Sequence, residues 1–208
     1  MTPERKQKLI VINIMGLSLF AVMLYCVYND ALLTALDRWI SASMPHVRRA
    51  WLDPVVKWIT DLNGMVGAAI FSVVLIGIFV LKRWGSAVKF YLITVVGATV
   101  LFIAVKMVVA RSRPEASIIE IGGYSFPSGH TTMATAMAFG LYFILSEWTK
   151  DQKVRTGLLL IALGWALLIA ATRVYLGVHW LTDVVGGFGL GIWWVTLVRL
   201  LYREKLVG

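Results

Sequence analysis

Three polar clusters interrupt an otherwise apolar chain of 208 residues, and their residue types point to one kind of chemistry. The first runs from Lys106 to Pro114 and holds Lys106 and Arg113 seven positions apart. That spacing is nearly two helical turns, so both cations are expected on one helix face, about 10 Å apart, with Pro114 ending the helix. The second runs from Tyr124 to His130. Pro127 and Gly129 permit a tight turn that presents backbone N–H groups at a helix N-terminus, where anions bind. Ser128 adds a hydroxyl and His130 a group that titrates near neutrality. Alone, this cluster reads equally well as a capped helix start. The third runs from Thr172 to Asp183. His179 and Asp183 are four apart, on one helix face and within hydrogen-bond reach. A carboxylate on one imidazole nitrogen fixes the tautomer and leaves the other nitrogen free as a nucleophile or base. Gly177 supplies the turn between a helix ending at Arg173 and one starting at His179.

Taken together the clusters select a ligand. Cations in a bilayer are costly, about 2.5–3.5 kcal/mol each at mid-helix on insertion scales. Lys106, Arg113 and Arg173 at one membrane face repel one another unless something negative lies among them. A multiply charged anion is what they prefer, and phosphate suits them best, since arginine can grip it bidentately. With one histidine oriented as a nucleophile and another as a proton donor, the chemistry is phosphoryl transfer through a histidine. Arg111, Glu115 and Glu120 lie near the clusters but outside them; they either shape the mouth of the site or are solvated loop charges, and the second reading is preferred. The single cysteine, Cys26, can form neither an intrachain disulfide nor a cysteine zinc site, and reads as a small buried hydrophobe. No metal and no cofactor are expected.

The elements that must position these residues are membrane helices. The chain is 59% hydrophobic and 15% charged, against about 45–50% and 25% for a soluble domain. A net charge of +9 belongs to membrane-protein loops here and not to nucleic-acid binding. Apolar runs span Leu9–Tyr28, Met65–Leu81, Ser86–Lys106, Thr131–Ser146, Thr156–Thr172 and Val184–Val198. The first is too long for a signal-peptide core and lacks a clear cleavage site, so it is read as retained. The expectation is an all-α polytopic membrane protein of six transmembrane helices. It forms one domain over 1–208, with an N-terminal tail at 1–8. Gly187 and Gly191 have a spacing that suits close helix packing. Between the first two spans, residues 29–64 form a short interfacial helical segment. There Leu32, Leu36, Trp39 and Ile40 recur at helical spacing, Asp37 and Arg38 lie on the other side, and Pro45 and Pro54 break it into pieces. Trp39, Trp51 and Trp58 are expected at headgroup depth.

Charge sets the orientation. With the N-terminus cytoplasmic, that side receives Arg5, Lys6, Lys8, Lys82, Arg83, Lys150, Lys153, Arg155, Arg199, Arg203 and Lys205, eleven cations. The other side receives Arg38, Arg48, Arg49, Lys57, Lys106, Arg111, Arg113 and Arg173, eight. The excess favours both termini inside and the three clusters outside.

The three clusters in this order, Lys106-x6-Arg113-Pro114, Pro127-Ser128-Gly129-His130 and Thr172-Arg173-x5-His179-x3-Asp183, resemble the three-part signature of the type 2 phosphatidic acid phosphatase family. The one departure is Thr172, where the family usually has serine; the hydroxyl is kept. The resemblance implies that Lys106, Arg113 and Arg173 hold the substrate phosphate, with Ser128 and the Gly129 N–H completing the cradle. It implies that His179 attacks phosphorus, Asp183 orients it, and His130 protonates the departing oxygen and then helps activate water. Family members of this size act on undecaprenyl pyrophosphate, phosphatidylglycerol phosphate and phosphatidic acid. The expected activity is metal-independent dephosphorylation of such a lipid at the outer face of the cytoplasmic membrane. The bilayer and the lipid are the partners, with no nucleic acid and no obligate protein. The alternative enzyme is a phosphotransferase that passes the phosphate to another lipid. A transporter or scaffold is the alternative from another class, disfavoured because the polar residues gather at one face and leave the midplane clean.

Overall fold

A computed structural model describes residues 2–29, 32–202 and 204–207. Arg203, counted above among the cytoplasmic charges, and the Leu32 side chain lie outside the described residues. Among the described residues there are eight helices and no strand: α1 (Pro3–Tyr28), α2 (Leu32–Val47), α3 (Asp53–Asp61), α4 (Met65–Leu81), α5 (Gly85–Val109), α6 (Gly129–Trp148), α7 (Gln152–Tyr175) and α8 (Leu181–Leu201). α1, α4, α5, α6, α7 and α8 fall on the six apolar runs. Of these, α1, α5, α7 and α8 are long and apolar enough to cross a bilayer, and α3 with α4, bent by 46° at the break between them, forms a fifth such stretch. α6 is less apolar because its Thr131, Thr132, Thr135 and alanines face other helices, where all three threonines are buried.

The outer surface of the bundle is that of a protein in lipid. Val73 on α4 and Ile161 on α7 are each 70% exposed, and α1 and α5 carry similar residues outward. A water-soluble monomer does not present apolar surface on this scale. With lipid outside, close contact and internal hydrogen bonds must hold the helices together. α8 supplies both. A Cβ on Gly187 would come within 2.8 Å of the Ser128 carbonyl, and one on Gly191 within 2.7 Å of Thr135 Cβ, so these glycines let α6 lie directly on α8. On the opposite side of α8, Asn13 of α1 donates to the Trp193 carbonyl and to Thr196 Oγ1, both at 2.8 Å.

The helix ends sort into two groups. At one end, Arg199 of α8 pairs with Glu147 of α6, whose carboxylate also accepts from Leu206 N at 2.9 Å. Tyr202 donates to the Ser86 carbonyl at 3.1 Å. At the other end the C-termini of α5 and α7 meet the N-termini of α6 and α8, and all three polar clusters lie there.

In place of one short segment, residues 32–64 hold two helices, α2 and α3. Pro45 does not break the chain; it lies inside the last turn of α2, and the break comes at residues 48–52. Pro54 stands at the start of α3, where a missing N–H costs nothing. Trp39, Trp51 and Trp58 are each 65% exposed or more. Asp37, read as facing away from the apolar stripe, is instead fully buried against the bundle.

Candidate active site

Lys106 does not share a helix face with Arg113. α5 ends at Val109, with Ala110 in the left-handed region (φ 49°), so the chain turns away one helical turn before Arg113. The loop brings Arg113 back by another route. Its Nε and Nη2 donate to the carbonyls of Gly123 (3.0 Å) and Gly122 (3.2 Å), and its Nη1 donates to Val178 O at 2.7 Å. Lys106 reaches the same loop, donating to Tyr124 O at 2.6 Å and Ser125 O at 3.3 Å. Residues 122–125 thus anchor both cations. Burial holds the Arg113 guanidinium below its ordinary pKa, with Asp183 opposing that shift.

His179 lies just ahead of α8, whose first residue is Leu181, and is buried. The left-handed Gly177 (φ 70°) makes the turn that brings it there; a Cβ at that position would fall 2.4 Å from the Ala116 carbonyl. Its Nδ1 is 3.3 Å from Asp183 Oδ2, and that oxygen also accepts from Trp180 N at 2.9 Å. Its Nε2 faces Arg113 Nη1 at 3.4 Å. A carboxylate can only accept and a guanidinium can only donate. The pair therefore selects the tautomer with the proton on Nδ1 and the lone pair on Nε2. Burial lowers the His179 pKa to about 4, with Asp183 pulling it up and the Arg173 and Arg113 charges pushing it down. At neutral pH the imidazole is uncharged, with a lone pair on Nε2.

Arg173, at the end of α7, is 1% exposed. Its Nη1 donates to Thr60 Oγ1 at 3.0 Å, while its Nε and Nη2 are buried without a protein partner. Buried guanidinium donors are costly when unmatched. Arg173 and His130 line a cavity of about 570 Å³ together with Lys57, Asp61 and residues 118–121. The backbone carbonyl of His130 accepts from Asn63 at 2.9 Å. Ser128 is the N-cap of α6, wholly buried, and its Oγ accepts from Thr131 N (3.4 Å) and Thr131 Oγ1 (3.1 Å). Its hydroxyl therefore organises the first turn of α6, and Ser128 N donates to the Asp183 carbonyl at 3.0 Å, locking that turn to α8. Gly129 is wedged against the Phe102 ring, 2.9 Å from where a Cβ would stand.

Arg111 corrects the sequence reading. It is no solvated loop charge: its side chain is 13% exposed and bridges Asp183 and Asp37. Glu115 is exposed, as expected, and Glu120 is exposed too but lines the cavity of Arg173 and His130. Asp37, Thr60, Asn63 and Thr182 are site neighbours that sequence reasoning missed. Asp37 alone left a signal, a carboxylate on a helix otherwise suited to an interface. Among the described residues no cluster of three or more His, Cys, Asp or Glu has the arrangement of a metal site.

Comparison with known proteins agrees with this architecture. Over 191 residues the chain is 32% identical to phosphatidylglycerophosphatase B of Bacillus subtilis (strain 168), covering 86% of this chain and 89% of that protein. It is 32% identical over 149 residues to a putative undecaprenyl-diphosphatase of Escherichia coli (strain K12), covering 65% and 69%. The crystal structure of a transmembrane PAP2-type phosphatidylglycerolphosphate phosphatase from Bacillus subtilis superposes with a TM-score of 0.81 at 28% identity, over 89% of this chain and 94% of that one. Residues 86–206, from the first turn of α5 to the end of α8 and beyond, match the PAP2 superfamily. That stretch carries every residue the three clusters contribute, and the chain is a multi-pass membrane protein of the PAP2 superfamily.

Proposed function

We propose that this protein removes a phosphate from a membrane lipid phosphate or diphosphate through a phosphohistidine on His179. The observation that carries the reading is Arg173: a buried guanidinium with two unmatched donor atoms, lining a cavity with His130, close to a neutral and oriented imidazole. An anion with several oxygens satisfies those donors. Lys106 has used two of its three N–H donors and Arg113 three of its five on backbone carbonyls, and the long contact from Arg113 to His179 Nε2 gives way as that lone pair turns to phosphorus, so both cations keep donors for phosphate.

In the first step the Nε2 lone pair of His179 forms a bond to phosphorus as the bond to the lipid oxygen breaks. The electron pair leaves on that oxygen, which takes a proton from His130 in its imidazolium form, the form that a bound phosphate dianion favours. Asp183 stabilises the imidazolium that develops. In the second step His130 takes a proton from water, the water oxygen bonds to phosphorus, and the P–N bond breaks to restore neutral His179. Lys106, Arg113 and Arg173 stabilise the transferring phosphoryl group, so no metal is required. Water is the acceptor in this reading.

The hydrocarbon has a place to lie. An apolar cavity of about 640 Å³ runs between α4, α6 and α7, lined by residues such as Ile70, Ala138 and Leu158, and its upper wall includes Asn63, the residue bonded to the His130 carbonyl. Six spans, with both termini cytoplasmic and the site at the outer face of the cytoplasmic membrane, complete the proposal.

The two histidines test it by failing differently. His179→Ala should form neither product nor phosphoenzyme. His130→Ala should lose about 10²–10⁴-fold on a poor alkoxide leaving group, and far less on a nitrophenyl ester or a diphosphate. Phosphoenzyme in His179→Ala, or an equal loss in His130→Ala on every leaving group, contradicts these roles.

A further inference from the structure

We propose that Arg111 is a positioning residue that holds Asp183 ionised and aimed at His179 by clamping it to a second buried carboxylate, Asp37 of α2. The inference rests on His179 being the nucleophile. Arg111 Nη1 donates to Asp183 Oδ1 at 2.6 Å and to Thr182 Oγ1 at 2.7 Å, while Nη2 donates to Asp37 Oδ2 at 2.8 Å. Its guanidinium lies over the Trp180 ring, 5.3 Å from the centroid, and that ring is pinned by its own N–H to Ser112 O at 2.9 Å. The Asp37 and Asp183 side chains are 1% and 0% exposed. Asp37 also accepts from Thr182 N at 2.9 Å and from the Thr182 hydroxyl, so α2 caps the first turn of α8 from outside the helix.

The division of labour on Asp183 is what gives Arg111 its role. Oδ2 serves His179 and Trp180 N, and Oδ1 serves Arg111. The other cations whose charge reaches this carboxylate, Lys106 and Arg113, are among those assigned above to the phosphate, as is Arg173. A bound phosphate dianion cancels much of their charge. Arg111 is the cation bonded to Asp183 itself, through the oxygen that does not face His179, and it keeps the carboxylate ionised while the imidazolium forms. Without it, two buried carboxylates are left without their shared counter-charge, and one takes up a proton.

The test is a double-mutant cycle with Arg111→Met and Asp37→Asn, read as kcat and KM against pH on a detergent-dispersed lipid phosphate. Arg111→Met should lower kcat by about ten-fold or more, change KM less, and move the acid limb of kcat to higher pH. Adding Asp37→Asn should recover part of kcat and move the limb back, because one buried carboxylate then remains. If Arg111→Met does not yield folded protein, Arg111→Lys replaces it; lysine cannot span both carboxylates, so the same rescue by Asp37→Asn is expected on a smaller loss. A double variant as slow as or slower than the single, with the acid limb unmoved, overturns the proposal and leaves Arg111 a merely structural contact. Failure of the underlying reading looks different: wild-type enzyme would then form no phosphoenzyme at His179.

Discussion

At the scale of single residues, the site depends on keeping one histidine neutral in a nest of cations. Burial and the neighbouring guanidinium groups set the His179 pKa near 4, against about 6.5 for a free imidazole. The sign of the shift gives a prediction. A group with a lowered pKa stays unprotonated, and so able to act as the proposed nucleophile, until the pH falls to that value. On a nitrophenyl ester, whose departure does not need His130 as an acid, and after correction for the substrate's own titration, phosphoenzyme formation should therefore stay level through pH 5 and decline only toward pH 4. A decline centred near 6.5 would mean that His179 is solvated. The residue types and spacings of Lys106, His130, Arg173, His179 and Asp183 were legible in the sequence because charged groups in a greasy chain need a reason to be there. Arg111 was not, because nothing local distinguishes a loop arginine bound for solvent from one bound for a carboxylate 74 positions away.

At the scale of elements, the four helix ends that meet at the site are fixed by small residues and turns. The left-handed Ala110 and Gly177 release the chain from α5 and α7, and Gly187 and Gly191 bring α6 onto α8. The apolar runs located six of the helices, since hydropathy is a signal that needs no partner. The misplacement of Arg113 on α5 has a physical reason: periodicity continues past the point where the backbone turns, and only the conformation of Ala110 ends the helix. α2 and α3 were blurred because Pro45 is tolerated in a last turn. The groove between α4, α6 and α7 is invisible in sequence, as it is defined by gaps. It yields a prediction. Ala138→Trp projects bulk into that groove and should reduce hydrolysis of a long-chain lipid phosphate relative to a short soluble ester by about ten-fold, the equivalent of roughly two buried methylenes. An unchanged ratio of the two activities would place the hydrocarbon elsewhere.

At the scale of the whole molecule, the two groups of helix ends give the bundle a polarity. The Glu147, Arg199 and Glu204 contacts lie at one end, proposed as the cytoplasmic one, and the residues proposed to hold phosphate lie at the other. Single cysteines on a Cys26→Ala background should report this in intact cells. A cysteine at Glu120 should react with an impermeant reagent and one at Lys153 should not; the reverse pattern would invert the orientation. The central claim is the covalent step, and it is tested most directly by quenching the enzyme during turnover of a labelled lipid phosphate in excess EDTA and mapping the phosphorylated peptide. The account predicts an acid-labile phosphate on His179 that forms and decays at rates compatible with turnover, without added metal. Turnover in which no phosphoenzyme forms, phosphate on another residue, or turnover that requires Mg²⁺ would contradict it.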